Sequence, residues 1–482
     1  MVHKLVSKYN KMPLAVKAGL WFTMCNLLQK GISFITVPIF TRIMSTEDYG
    51  LYSIYISWYS VMTIFATLHL SYYVFNKGLV KYEDDKETFV VSIQSLSATV
   101  TLGFFLVYLL LRGIIDSLTS MPSTMMICML VQIFFEPPVL YWTARKRFEY
   151  KYQAVVAVTL VLSLLNPIIG IVLIKIGLFS NDAIARACSL ALVSALFGIV
   201  IGISIVKKAN KPFSTKYWKY ALAFNLPLIP HYLSTTILSS ADRIMIGNLC
   251  GNTEAAIYSV AYAVGMVCTL FSQAIQQAFL PWLYKRMKEE KYEGIPKISN
   301  AFMIVIIGIL SLLICFAPEV VLIVGSHKYV DAMWAIPPVC GSIFFIFLQN
   351  LFANIEYYFE KTKLIAVASI GVAVLNIVLN YIFIRMFGFI AAAYTTLVCY
   401  IVYAMIHYFV MARICKQNKI QIRNLFNMKA VMMLAIVMLA IVGIMLAVYH
   451  NSLIRYALIT VIIIVVAINY KRIIKMIKTI RE

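Results

Sequence analysis

The chain has 482 residues, 62% of them apolar and 13% charged, with a formal net charge of +22. Soluble domains are about half apolar and a quarter charged, so one water-facing core cannot hide this much apolar surface. That excludes a soluble enzyme, a nucleic-acid-binding domain and a receptor ectodomain. Fourteen membrane helices of about 20–22 residues each account for the apolar positions and leave only short loops and tails. The apolar residues come in long runs rather than alternating, which rules out a β-barrel.

In chain order the apolar windows place spans at 17–41, 51–74, 88–111, 123–144, 154–174, 187–206, 217–241, 255–282, 299–323, 333–355, 364–384, 389–412, 430–449 and 453–470. Very short turns join 364–384 to 389–412 and 430–449 to 453–470, so these pairs read as helical hairpins. The first run is too long for a signal-peptide core and has no small-residue cleavage site, so it is expected to stay attached as a helix. The nine cysteines include no C-x-x-C pair, and no disulfide framework, metal site or cofactor is expected.

Placing the cations explains most of the charge. With the N-terminus in the cytoplasm, 33 of the 42 Lys and Arg residues fall in cytoplasmic segments, and eight fall on the other face: Arg42, Arg112, Lys175, Arg186, Arg243, Lys328, Arg385 and Arg455. This is the positive-inside pattern for an even number of spans with both termini cytoplasmic. Lys30 alone lies deep inside a span.

The sequence also matches itself at an offset of about 201–211. Arg42-Ile43-Met44, Thr46-Glu47 and Leu51-Tyr52-Ser53-Ile54 recur as Arg243-Ile244-Met245, Thr253-Glu254 and Ile257-Tyr258-Ser259-Val260. Phe148-Glu149 recurs as Phe359-Glu360, and Leu165-Asn166 … Lys175 as Leu375-Asn376 … Arg385. Six helices separate the copies, so both face the same way. The expectation is an all-α integral membrane protein: two parallel six-helix lobes at 12–206 and 217–412, an extra helix pair at 428–471, and a basic cytoplasmic tail at 472–482. Transporters with this repeat bind substrate near the bilayer midplane between lobes and rock one against the other.

Two stretches carry a family likeness: Thr46-Glu47-Asp48-Tyr49-Gly50-Leu51-Tyr52 entering the second span, and Ser240-Ala241-Asp242-Arg243-Ile244-Met245-Ile246-Gly247 leaving the seventh. With the Pro227-Leu228-Ile229-Pro230 bend and the 6+6+2 plan, the chain resembles the bacterial polysaccharide flippases of the multidrug, oligosaccharidyl-lipid and polysaccharide exporter superfamily. The resemblance implies export of an undecaprenyl-diphosphate-linked oligosaccharide for O-antigen, capsule or exopolysaccharide assembly. It also implies partners among polysaccharide polymerase and assembly proteins, and the bacterial cytoplasmic membrane as location.

The candidate residues are polar groups inside spans, each costing about 2.5–3.5 kcal/mol at a helix centre when charged. Lys30, with Asn26 one turn before it, reads as a fixed cation for a diphosphate headgroup, or as a lysine satisfied by carbonyls or a nearby acid. In the seventh span Asn225, Pro227, Pro230, His231, Thr235, Ser239 and Asp242 describe a bent gate helix with a polar stripe. Its histidine reads as a substrate or coupling-proton group, or as a hydrogen-bonded structural residue. Glu136, before Pro137-Pro138, reads as a partner of Lys30, a coupling-ion ligand or a residue near a span end. Asn350 with Asn354, Tyr258 with Tyr262, and the Tyr52, Tyr55 and Tyr59 stripe suit sugar hydroxyls and faces, or serve as packing. Arg42, Asp242 and Arg243 read as outer helix ends tied by a local charge pair. Glu356 and Glu360 read as cytoplasmic surface charge.

No G-x-x-x-x-G-K-[ST] motif is present, so ATP binding through a P-loop is not expected. A multidrug or cation exporter on the same fold is the alternative, though a lysine in the first helix would repel a cation. A membrane polymerase explains neither the repeat nor the lack of a long outer loop, and a non-transporting scaffold leaves the polar stripes without purpose.

Overall fold

The computed structural model describes residues 9, 12–209, 211–460 and 464, and among these every regular element is helical. The helices are α1 (Leu14–Ile43), α2 (Thr46–Thr67), α3 (Tyr73–Lys81), α4 (Lys86–Leu110), α5 (Arg112–Thr119), α6 (Ser123–Phe148), α7 (Tyr152–Ile176), α8 (Asp182–Val206) and α9 (Thr215–Asn225). They continue as α10 (Ile229–Leu249), α11 (Asn252–Lys288), α12 (Ile295–Cys315), α13 (Ala317–Val324), α14 (Ala332–Tyr358), α15 (Thr362–Phe387), α16 (Ala391–Gln417), α17 (Ile422–Leu425) and α18 (Met428–Val448), with residues 452–460 helical again. The tail at 472–482, half of the last expected span and the lysines at 4, 8 and 11 lie outside the described residues.

Ten of the described helices are long and apolar enough to cross a membrane. The expected first, second and seventh spans are helical but fall outside that set. The helix of the first carries Lys17, Lys30 and Arg42, and the second and seventh are rich in polar side chains and are interrupted within the expected windows.

The starts and stops follow local chemistry. Ser45 caps α2 by accepting from the Asp48 N–H at 3.0 Å, and Glu47 and Asp48 add negative charge in the first turn. Asn181 caps α8 through the Ile184 N–H at 2.9 Å. Two consecutive left-handed residues, Leu68 and His69, end α2 (φ 51° and 52°). The expected 51–74 span is therefore cut at Thr67, and the chain turns into the short α3. The expected 217–241 span is interrupted as well: Leu226–Leu228 form one turn of 3-10 helix at Pro227, and α10 runs on to Leu249. Proline removes N–H donors there, so the α-helical ladder cannot continue through it.

The chain forms two compact units, residues 1–236 and 237–482, divided within α10 rather than in the 207–216 loop. In the first unit α6 lies along α8, α7 packs on α8 and α1, and α4 packs on α6. In the second unit α14 lies along α16, α15 packs on α16, and α11, α12 and α18 cover other sides of α14. The most apolar 18-residue window of α14 is 89% buried and that of α7 is 17% buried, so α14 is a core helix while α7 presents a side suited to lipid.

Between lipid-soluble helices, van der Waals fit and hydrogen bonds replace the hydrophobic effect as the driving force. Gly198 shows the fit. A Cβ there would collide with the backbone carbonyl of Phe135, an atom that cannot move aside cheaply. Gly198→Val is expected to pry α8 from α6 at a cost of about 1–3 kcal/mol. A thermal-unfolding midpoint in detergent equal to wild type would contradict this.

At the cation-rich end of the first unit, Arg145 on α6 donates to Glu87 on α4 (2.7 Å to one oxygen) and to Glu149 (2.8 Å). Burial pushes the Glu149 carboxyl up. Lys151, Arg145 and Lys146 more than offset this and bring it down to about 2. Its stabilising contribution is thus present above the ordinary carboxylate range and is lost as the pH falls towards 2.

Candidate functional site

In the first unit the polar residues of α1, α2, α6, α7 and α8 converge. Tyr55 on α2 is fully buried and donates to the Gln132 side-chain oxygen on α6 at 2.9 Å. One turn along, Tyr59 donates to Glu136, which also accepts from the Gln132 amide at 3.4 Å. The tyrosine stripe of α2 therefore faces the polar side of α6. Glu136 sits within α6, twelve residues before its end, which removes the reading of a span-end charge.

Glu136 and Gln132 line a cavity of about 380 Å³, together with Gln29, Ser33 and Thr36 of α1, Arg147, Asn166 of α7 and Arg186 of α8. Arg186 donates to the Asn166 side-chain oxygen at 2.8 Å, the Asn166 carbonyl at 3.2 Å and Ser189 Oγ at 2.7 Å. Its guanidinium carbon lies 4.5 Å from the Phe40 ring centre and 5.3 Å from that of Tyr52, as a cation–π contact requires. The sequence places Arg186 in an outer loop. The structure places it inside α8, only 6% exposed. The apolar run at 187–206 signals the span but sets its start too late.

Lys30 and Asn26 are exposed on α1, and the cavity takes Gln29 and Ser33 from that stretch instead. Arg42 is exposed and donates to the Pro38 carbonyl at 2.8 Å, a cation serving a carbonyl near the C-terminal end of α1. Asn225 is fully buried and donates to the Leu68 carbonyl, joining the break before α10 to the break after α2. Tyr232 reaches back to Asn225 at 3.5 Å, and its ring lies 4.8 Å from His69 and 6.3 Å from half-buried His231. Pro227 lies in the 3-10 turn and Pro230 in the first turn of α10.

In the second unit the centre is Asp242. It is 2% exposed and accepts from Tyr258 of α11 at 2.5 Å, Asn380 of α15 at 2.7 Å and Thr396 of α16 at 2.8 Å. Asn376 donates to Thr396 at 3.1 Å, and Thr395 donates to Asn380. The expected outer-end role and charge pair with Arg243 do not hold for Asp242. Helix α10 continues seven residues beyond it, and the carboxylate turns to neutral donors on three other helices. Arg243 instead covers the Tyr262 ring at 4.3 Å and donates to the Ser239 carbonyl at 3.3 Å. Tyr262 lies 6.4 Å from Tyr258, so these two residues belong to one cluster as their spacing suggested.

Asn354 is buried and donates to Gln276 of α11 at 3.1 Å, while Asn350 is half-buried on the same helix. Glu360 is exposed, as expected of a surface charge. Glu356 is not: it is fully buried against His407 of α16. An acid near a helix end reads as solvated in one dimension, and its partner 51 residues away gives no local signal.

The family model for polysaccharide biosynthesis proteins matches residues 15–287, more than half of the chain. The chain belongs to the polysaccharide biosynthesis protein family. A MatE model also matches residues 227–382. Among relatives of this family member, Lsg locus putative protein 1 of Haemophilus influenzae is 23% identical over 368 residues, 71% of this chain and 85% of the relative. The probable low-salt glycan biosynthesis flippase Agl15 of Haloferax volcanii is 23% identical over 242 residues, 49% of this chain and 50% of the relative. In fold the chain is similar to the lipid II flippase MurJ in an inward closed conformation, with a TM-score of 0.68 and 13% identity, over 91% of this chain and 100% of that one. It is a multi-pass membrane protein with a transporter fold.

Proposed function

We propose that this protein is a flippase that moves a polyprenyl-diphosphate-linked oligosaccharide across the membrane by alternating access, for surface polysaccharide assembly. The observation that carries this reading is the cavity of the first unit. It is built among long helices of the first unit, three of them long and apolar enough to cross a membrane, yet lined by amides, hydroxyls, Glu136 and two arginines. Buried polar groups at such depth are expensive unless they serve a polar cargo. Amides and hydroxyls match sugar hydroxyls, and arginine matches phosphate oxygens.

Within this reading Lys30 draws in the diphosphate, with Asn26, His231, Asn225, Glu136, Asn350, Asn354, Tyr258 and Tyr262 as further cargo-side candidates. Pro227 and Pro230 mark the hinge, Arg42 serves the end of its helix, and Asp242 and Arg243 hold the polar cluster of the second unit together. The lobes are 12–206 and 217–412. The added pair at 428–471 offers a lipid-facing path for the polyprenyl tail, and α18 supports this with exposed Met432, Met433 and Ile436. The bacterial cytoplasmic membrane is the proposed location, and polymerase and assembly proteins are the proposed partners.

Removing the gene is expected to leave lipid-linked oligosaccharide on the cytoplasmic leaflet and to remove surface polymer, read by mass spectrometry of extracted lipids and by surface labelling. Lys30→Gln is expected to abolish surface polymer at matched protein levels, while Lys30→Arg keeps much of it. Equal polymer in wild type and Lys30→Gln would take Lys30 out of the site. A second reading, a cation-coupled multidrug exporter, is favoured by the MatE match and by the buried Asp242. It predicts drug sensitivity without lipid-linked oligosaccharide accumulation in the same strain.

A further inference from the structure

Helices α6 and α8 carry a pair of cysteines that the cavity beside them does not use. Cys128 and Cys188 are both thiols in this structure, and their sulfurs lie 3.1 Å apart although 60 residues separate them in the chain. Non-bonded carbon atoms rest about 3.5–4.0 Å apart, and sulfur is the larger atom, so this is an unusually close approach. The thiol is a weak donor and a weak acceptor, so an S–H···S bond returns little for it. Cys315 and Cys415, by contrast, meet methionine sulfurs at 3.9 and 3.7 Å, the ordinary packing of a soft apolar side chain. The sequence, with no C-x-x-C spacing, does not signal the pair.

The setting suits a covalent bond. A disulfide holds its sulfurs about 2.05 Å apart, so the two have to close by about 1 Å, which side-chain rotation supplies. The backbones stay where they are, because α6 already lies along α8 and the seam is tight further on, where Gly198 meets the Phe135 carbonyl. Both cysteines lie within two turns of the helix starts at Ser123 and Asp182. On the orientation that the cations imply, those ends face outwards, into the kind of compartment where disulfides form and persist. Cys128 is 8% exposed and Cys188 more so, which makes Cys188 the thiol that an oxidant meets first. Tyr55 is within electrostatic reach of both sulfurs, and its partner Gln132 follows Cys128 by one turn.

We propose that Cys128 and Cys188 are a cross-linking site, oxidised to a disulfide that rivets α6 to α8 beside the cavity. The oxidant is a disulfide carrier of the outer compartment. Cys188, as thiolate, attacks one sulfur of the carrier, which forms a mixed disulfide and releases one carrier thiolate. Cys128 then attacks Sγ of Cys188, the internal bond forms and the second carrier thiolate leaves. Two electrons pass to the carrier, and the two thiol protons end on its sulfurs. The bond keeps Gln132 and Glu136 of α6 in register with Arg186, two residues before Cys188. Because it forms with the helices in place, α6 and α8 travel as one body during export. That last statement rests on the flippase reading; the bond itself does not.

Thiol counting tests the bond. Cells are quenched with acid, the full chain is denatured, and its thiols are labelled with a polyethylene glycol maleimide before and after dithiothreitol. The bond hides two of the nine cysteines, so wild type is expected to take seven labels before reduction and nine after, and Cys188→Ser eight in both. Nine labels on wild type before reduction would overturn the site, as would a reducible pair that survives in Cys188→Ser. In detergent the oxidised chain is expected to unfold about 5–10 °C above the reduced one, a shift that Cys188→Ser lacks. Equal midpoints in chains shown to carry the bond would overturn the rivet. Wild-type cells treated with diamide until every chain takes seven labels before reduction are expected to keep surface polymer at the untreated level. Loss of polymer there, but not in Cys188→Ser, would overturn the shared motion of α6 and α8. Should deletion of the gene cause no lipid-linked oligosaccharide to accumulate, the flippase reading fails, and the label count still judges the bond.

Discussion

Asp242→Ala is expected to cost the second unit about 2–5 kcal/mol, enough to prevent normal accumulation of a marginally stable membrane protein. The substitution deletes the acceptor shared by Tyr258, Asn380 and Thr396 and leaves three donors facing a void with no water to replace it. Each stranded donor costs about 1–3 kcal/mol when nothing else reaches it, and less when the helices relax. Asp242→Asn keeps the volume and one acceptor oxygen but turns an NH2 group towards these same donors, so it should fall between alanine and wild type. Thermal unfolding in detergent, followed by size-exclusion profile, reads the effect. Stability of the alanine variant within about 0.5 kcal/mol of wild type, the range of a neutral surface change, would mean that the three bonds contribute nothing. A double-mutant cycle with Tyr258→Phe should show strong coupling, because both changes act on one hydrogen bond.

Arg186→Leu should behave in the opposite way: the protein folds and does not transport. Replacing a buried charge by an apolar side chain of similar volume is often neutral or stabilising, because the desolvation cost of the ion disappears with it. Asn166 and Ser189 then lose a cationic donor, and the cavity loses one of its two arginines. Surface polymer is expected to fall roughly tenfold or more, equivalent to at least about 1.4 kcal/mol on the limiting step. Arg186→Lys retains the charge but not the flat guanidinium, one terminal nitrogen of which reaches Asn166 and Ser189 while the plane lies over Phe40, so it should rescue little. Export at the wild-type level by Arg186→Leu would reduce the arginine to a packing residue.

Much of this fold is written along the chain because membrane helices announce themselves through local hydropathy. Each of the fourteen expected segments falls mainly on helix over its described residues. Breaks are harder to place. Pro227 marks the interruption before α10, but no glycine, asparagine or proline stands near Leu68 and His69 to mark the end of α2. The site is legible where one helix carries the pattern: the tyrosine stripe of α2 and the pair Tyr258 and Tyr262 both face polar groups. It is not legible where the partner lies far away in sequence. Arg186 and Glu356 look like end-of-helix charges in one dimension because burial depends on the neighbouring helix, and Gln132, His407 and Asn380 carry no charge pattern to single them out.

The two asparagines that match across the internal repeat each bond to a residue twenty positions later: Asn166 to Arg186 and Asn376 to Thr396. The same twenty-residue spacing thus joins neighbouring helices in both units, with a cation at the far end in one and a hydroxyl in the other. In the first unit the bond orients a fixed positive charge. In the second it hands the hydroxyl to a carboxylate, Asp242. The two corresponding positions are thus electrically opposite nodes, and Arg186→Thr or Thr396→Arg would invert the charge of a node rather than repair a contact.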